Sequence, residues 1–129
     1  MNVLVIEDEN LSRLTLRRIL SHLQVKVTEA ANGEEALELL PSAQPDLILL
    51  DLGLPGIDGY ETLSRIRSLE GFTNTPVVCI SASKDLSAIV KLRELGITDY
   101  LVKPIRADEA NARLRDALQV AATRKSGRT

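Results

Sequence analysis

The sequence predicts an α/β fold in which helices cover both faces of a parallel β-sheet. Three observations carry that expectation. Along 129 residues, short apolar runs alternate with segments of helical period. The runs at 3–6, 47–50 and 77–80 are continuous rather than alternating, as strands buried on both faces must be. The stretch LILLDLGLPGIDG, residues 47–59, then ends its apolar run on the carboxylate of Asp51. A strand buried on both faces does not finish on a charge without a reason, whether a turn or cap role or a chemical one.

The elements follow in order. Strand one, 3–6, leads to a helix on which Leu16, Ile19, Leu20 and Leu23 fall at i, i+3, i+4 and i+7, one apolar stripe. Strand two is expected at 25–28, followed by the Asn32-Gly33 breaker and a short helix anchored by Ala36, Leu37 and Leu40. After strand three at 47–50, Asp58 is placed to start a helix held by Leu63 and Ile66, with Gly59 easing the turn. Strand four, 77–80, includes Cys79, read as a buried small hydrophobe. Leu86, Ile89, Val90 and Leu92 mark the fourth helix, which Gly96 stops as a left-handed cap. Strand five, 100–102, precedes a last helix carrying Ala110, Leu114, Ala117, Leu118 and Ala121. One domain over 1–121 is expected, with 122–129 a flexible basic tail or linker stub. Five βα units joined by right-handed crossovers give a flavodoxin-like (βα)5 doubly wound sheet of order 2-1-3-4-5. Such a sheet binds ligands at the carboxyl ends of strands one and three.

Bulk properties narrow the function. A net charge of −2 gives no general pull toward nucleic acid or anionic membrane, so neither is an expected partner. No apolar run approaches the roughly 20 residues that span a bilayer. The opening MNVLVIEDEN lacks a basic n-region, and one cysteine cannot close an intrachain disulfide; a cytoplasmic location is expected.

The strand ends carry the chemistry. Strand one ends in Glu7-Asp8, strand three in Asp51, strand four in Ser81 and strand five in Lys103-Pro104. Acids crowded on one rim repel, and a divalent cation removes the conflict. Mg²⁺ accepts a few carboxylates and phosphate oxygens together. Asp8 and Asp51 are the natural direct ligands, with Glu7 acting directly or through water. A carboxylate beside Mg²⁺ can also serve as a nucleophile toward phosphorus. Lys103 can pair with phosphoryl oxygens, Ser81 can donate to one, and the turn Gly53-x-Pro55-Gly56 leaves backbone groups open to metal and phosphate.

With these residues assembled, the chain resembles the receiver domains of bacterial two-component response regulators, chemotaxis regulators among them, over about residues 2–121. The markers are Glu7-Asp8 in VLVIEDE, Asp51 in LLDLGLPGIDG, Ser81-Ala82 in CISAS and Lys103-Pro104 in GITDYLVKP. The resemblance implies that Asp51 is the phosphoacceptor. It implies that Glu7, Asp8, Asp51 and the Gly53 carbonyl serve the Mg²⁺ site, and that Ser81 and Lys103 hold the phosphoryl group. Tyr100 matches an aromatic switch position, and the Lys103-Pro104 peptide is expected to be cis. Expected partners are a histidine kinase or histidine phosphotransfer protein and a downstream output domain or protein. The chain itself is expected as a monomer or a weak phosphorylation-dependent dimer. It departs from the family in Glu7 for the commoner Asp, Ser81 for the commoner Thr, and a small Gly53. The lifetime of the phosphorylated state depends on neighbours such as Gly53 and Ser83.

Other functions fit less well. A phosphorylation-independent binding module would lack the acceptor or the lysine, and both are present. A phosphohydrolase with an aspartyl intermediate places its nucleophile in a DxD motif after strand one, which Glu7-Asp8-Glu9 does not match. A flavin phosphate would be repelled by the acidic first loop. The expected role is a switch that catalyses only its own phosphorylation and dephosphorylation, not a turnover enzyme. His22 reads as surface, and Arg13, Arg17 and Arg18 as a solvated face of the first helix.

Overall fold

A computed structural model describes residues 1–82 and 86–126, side chains at 86 and 126 excepted. Ten elements alternate: β1 (Asn2–Ile6), α1 (Asn10–Ser21), β2 (Lys26–Ala30), α2 (Gly33–Ala43), β3 (Leu47–Asp51), α3 (Gly59–Ser68), β4 (Val77–Ser81), α4 (Leu86–Glu94), β5 (Asp99–Val102) and α5 (Ala107–Ser126). The five strands form one parallel sheet of order β2-β1-β3-β4-β5, the expected flavodoxin-like winding.

Strand pleating divides the core in two. Leu4, Ile6, Ile48, Leu50, Val77 and Cys79 face one way and pack with Ala36, Leu40, Leu63, Ile66 and Leu92, which belong to α2, α3 and α4. Val3, Val5, Leu47, Leu49, Val78 and Ile80 face the other way, against Leu16, Ile19, Leu20, Leu114 and Ala117 of α1 and α5. Every residue of β3 is buried, which explains its unbroken apolar run. The register pairs Ile6 with Leu50, Asp51 with Ile80, and Ser81 with Val102, so the strands deliver their end residues to one rim.

Turn chemistry sets the helix starts. Asn32 accepts from the Glu35 amide at 2.8 Å and caps α2, and Asp58 accepts from the Glu61 amide at 2.8 Å and caps α3. Gly96 takes φ +75°, the left-handed position expected of it.

Several boundaries differ from the sequence reading. Strand two starts at Lys26 and continues to Ala30, because Glu29 and Ala30 stay in register with Val5 and Ile6. Leu23 lies past the end of α1, half-buried against the core. On α4, Leu92 is buried but Val90 is exposed, so the apolar stripe there is narrower than expected. α5 runs to Ser126, where a tail from 122 was expected. Nothing breaks the helix before Gly127, and Arg124 and Lys125 suit the negative end of its dipole. Lys125 Nζ also lies 3.6 Å from Asp46 Oδ1. Residues 127–129 and Ser83 lie outside the described residues.

Arg17 is not simply solvated. Its guanidinium forks onto Glu29 with bonds of 3.0 and 2.6 Å, tying α1 to the edge strand. His22 is exposed at the C-cap of α1, and Cys79 is fully buried, with burial pushing its thiol up to about 12. No helix among the described residues is long and apolar enough to cross a membrane.

Candidate functional site

The carboxyl rim of the sheet holds a cleft of about 400 Å³ lined by Asp8, Asp51, Gly53, Ser81 and Lys103, together with Glu9, Leu52 and Ala82. Each residue arrives on its own strand or the loop that follows it. Asp51 is the last residue of β3 and is buried, and Ser81 is the last of β4, also buried. Lys103 follows β5, and its amide donates to the Ser81 carbonyl at 2.8 Å, extending the ladder by one rung. The Lys103-Pro104 peptide is cis, as expected.

Glu7 lies beneath the cleft and is wholly buried, whereas Asp8 is exposed at its mouth. The Glu9 amide donates to Glu7 Oε1 at 3.1 Å, and the Ser12 hydroxyl donates to the Glu9 carboxylate at 2.7 Å. Asp51 Oδ1 accepts from the Gly53 amide at 3.0 Å. Lys103 Nζ reaches Asp51 Oδ2 at 3.2 Å and Glu7 Oε1 at 3.3 Å.

The electrostatics follow from this crowding. Burial, the neighbouring Asp51 carboxyl and its charge push Glu7 up to about 7, against the opposing pull of the Glu9 amide and Lys103. Burial alone would lower the Lys103 ammonium, but Asp51 and Glu7 outweigh it and the net shift is upward.

The same crowding is what a cation site requires. Oxygens of Glu7, Asp8 and Asp51 lie within 4.8 Å of one another, the one such cluster among the described residues. Glu7 Oε2 is buried without a hydrogen-bond partner, although Lys103 Nζ stands 3.2 Å away. A hard, all-oxygen donor set with an unsatisfied buried oxygen fits Mg²⁺, which this acidic pocket could hold.

Tyr100 stands apart. It lies on β5 opposite Cys79, half-buried against the α2–α4 side of the core, and does not line the cleft. Glu9 was not singled out as a site residue in the sequence, yet it lines the cleft. Its signal was the third acid of the run Glu7-Asp8-Glu9.

Comparisons with known proteins place the chain in a family. A family model described as the response regulator receiver domain matches residues 3–115. The chain belongs to that family. This receiver domain is 39% identical over 118 residues to the transcriptional regulatory protein AfsQ1 of Streptomyces coelicolor, covering 92% of this chain and 51% of the relative. It is 32% identical over 117 residues to the sporulation initiation phosphotransferase F of Bacillus subtilis, covering 91% and 90% of the two chains. A crystal structure of a putative response regulator from Chloroflexus aurantiacus superposes with a TM-score of 0.83 at 33% identity, covering 91% of this chain and 96% of that one. The receiver domain spans about half the length of most of the curated transcriptional regulators it resembles. Receiver domains of response regulators act in two-component systems as signalling switches rather than as classical enzymes.

Proposed function

We propose that this receiver domain is a phosphorylation switch in which Asp51 accepts a phosphoryl group from the phosphohistidine of a kinase or phosphotransfer protein, with Mg²⁺ as cofactor. The observation that carries the reading is the position of Asp51. Its carboxylate ends the central strand, meets Lys103 at 3.2 Å, and shares an acidic cluster with Glu7 and Asp8.

In the transfer, an Asp51 carboxylate oxygen forms a bond to phosphorus as the bond from phosphorus to the donor imidazole nitrogen breaks, the electron pair leaving with that nitrogen. Bound Mg²⁺ supplies charge neutralisation for the phosphoryl oxygens and the carboxylates. Glu7, Asp8, Asp51 and the Gly53 carbonyl would hold it. Lys103 exchanges its contact with Asp51 for one with the phosphoryl oxygens, and Ser81 donates a hydrogen bond to another of them. Tyr100 follows the Ser81 movement, and the face made by α4, β5 and α5 changes to control a downstream output domain or protein.

Incubation with a small phosphodonor and Mg²⁺ tests the reading. An alkali-labile gain of one phosphoryl group, absent from Asp51→Asn, is expected. Equal labelling of both proteins, or of neither, refutes it.

A further inference from the structure

Glu34 stands in the first turn of α2, outside the cleft, yet its carboxylate reaches the loop that carries Gly53. Its Oε1 accepts a hydrogen bond from the Ile57 amide at 3.0 Å, across 23 residues of sequence. Gly56, at φ +76°, lies so close beneath that an added Cβ would fall 2.9 Å from Glu34 Oε2 and 3.1 Å from Oε1. The helix itself is drawn onto the loop. A Cβ on Gly33 would meet Thr62 Oγ1 at 2.1 Å and the Ile57 side chain at 2.8 Å. At the loop's other end, the Gly53 amide donates to Asp51 Oδ1 at 3.0 Å. The segment 53–57 is therefore held at one end by Asp51 and at the other by Glu34.

We propose that Glu34 is a positioning residue for the Mg²⁺ site: by holding the Ile57 amide it keeps Gly53 in register with Asp51. The inference rests on the phosphorylation-switch reading above and adds a residue to its machinery. Glu34 is exposed and touches none of the reacting groups, so it acts through the loop backbone alone. An acid in a first helical turn also favours the helix dipole, and Glu35 supplies the same charge in the same turn. Replacing each in turn separates the two effects.

The experiment uses the full chain. In metal-free protein, hydrogen exchange at the Gly53 and Ile57 amides is expected to accelerate in Glu34→Ala and to stay unchanged in Glu35→Ala. Titration with Mg²⁺ is expected to show affinity roughly threefold to tenfold weaker in Glu34→Ala, the worth of one net hydrogen bond. Glu34→Gln, which keeps an acceptor oxygen, should remain within about twofold of wild type. Identical behaviour of Glu34→Ala and Glu35→Ala in exchange and in affinity overturns the proposal. A wild-type chain without Mg²⁺ affinity sinks both this inference and the reading beneath it, whereas normal wild-type affinity with an unaltered Glu34→Ala sinks the inference alone.

Discussion

Lys103 Nζ stands 3.2 Å from Asp51 Oδ2 and 3.2 Å from Glu7 Oε2, so one partly exposed ammonium serves two buried carboxylates. Lys103→Met removes the cation and leaves both acids in place. Without metal at pH 7.5 the variant should lose about 2 kcal/mol, below the figure for a fully buried pair because Lys103 is partly solvated. Saturating Mg²⁺ should restore much of the loss. Urea midpoints with and without the cation measure both effects, and a variant as stable as wild type in chelator contradicts the prediction.

Glu7 gives the metal-free protein an unusual pH profile. Its carboxyl is raised from 4.5 to about 7, so the folded state keeps a proton that the unfolded chain releases. The contribution of this group is fully present below about pH 4.5 and is lost as pH rises through 7. Stability in chelator should therefore fall across that window, by no more than about 3 kcal/mol from this carboxyl. Glu7→Gln should flatten the profile in thermal melts between pH 4.5 and 8. A wild-type profile that rises toward pH 8 in chelator is the contrary result.

Gly59 permits a close approach that no other residue can make. An added Cβ would sit 2.4 Å from Leu52 Cα and 2.7 Å from the Asp51 carbonyl oxygen, and backbone atoms cannot turn aside as a flexible side chain can. Gly59→Ala should cost on the order of 3 kcal/mol and weaken Mg²⁺ binding with it. Chemical denaturation and metal titration of the one variant check both. Wild-type values in either would show that the strand-to-helix turn adapts.

Arg67 holds three segments together. Nε donates to the Leu95 carbonyl at 2.7 Å, Nη1 to those of Phe72 and Thr75 at 3.1 and 2.7 Å, and Nη2 to that of Gly96 at 3.1 Å. Arg67→Met strips all four acceptors of a partner and should destabilise by about 3 kcal/mol. Arg67→Lys, a point donor without the planar fork, should recover less than half. Equilibrium unfolding of the two variants supplies the ranking, and full rescue by lysine would contradict it.

What the sequence made legible was whatever a local pattern carries. Continuous apolar runs marked the strands, and strand-end position marked Asp8, Asp51, Ser81 and Lys103 as candidates. The capping role of Asp58 belongs to the same class, because a cap bonds within its own turn, whereas Asn32, read only as a breaker, proves to cap α2. The unpredicted features are long-range. Among the described residues Arg67 bonds to backbone carbonyls, which have no side-chain signature in sequence. Glu34 reaches an amide far along the chain. Glu29 extends the edge strand because β1 offers it a register partner and Arg17 a charge, neither visible within the run at 25–28. The contrast between buried Glu7 and exposed Asp8 also depends on where the next helix packs, since neighbouring acids look alike in sequence.

The arginine fork also decides how α4 can yield. Leu92, the buried anchor of the helix, and the two tethered carbonyls at 95 and 96 all lie toward its carboxyl end. A door turns on the edge that carries its hinges. Any displacement of α4 would sweep its amino end, the end that follows the Ser81 strand, through the wider arc. On the phosphorylation-switch reading proposed above, a change at the rim would become an angle rather than a slide.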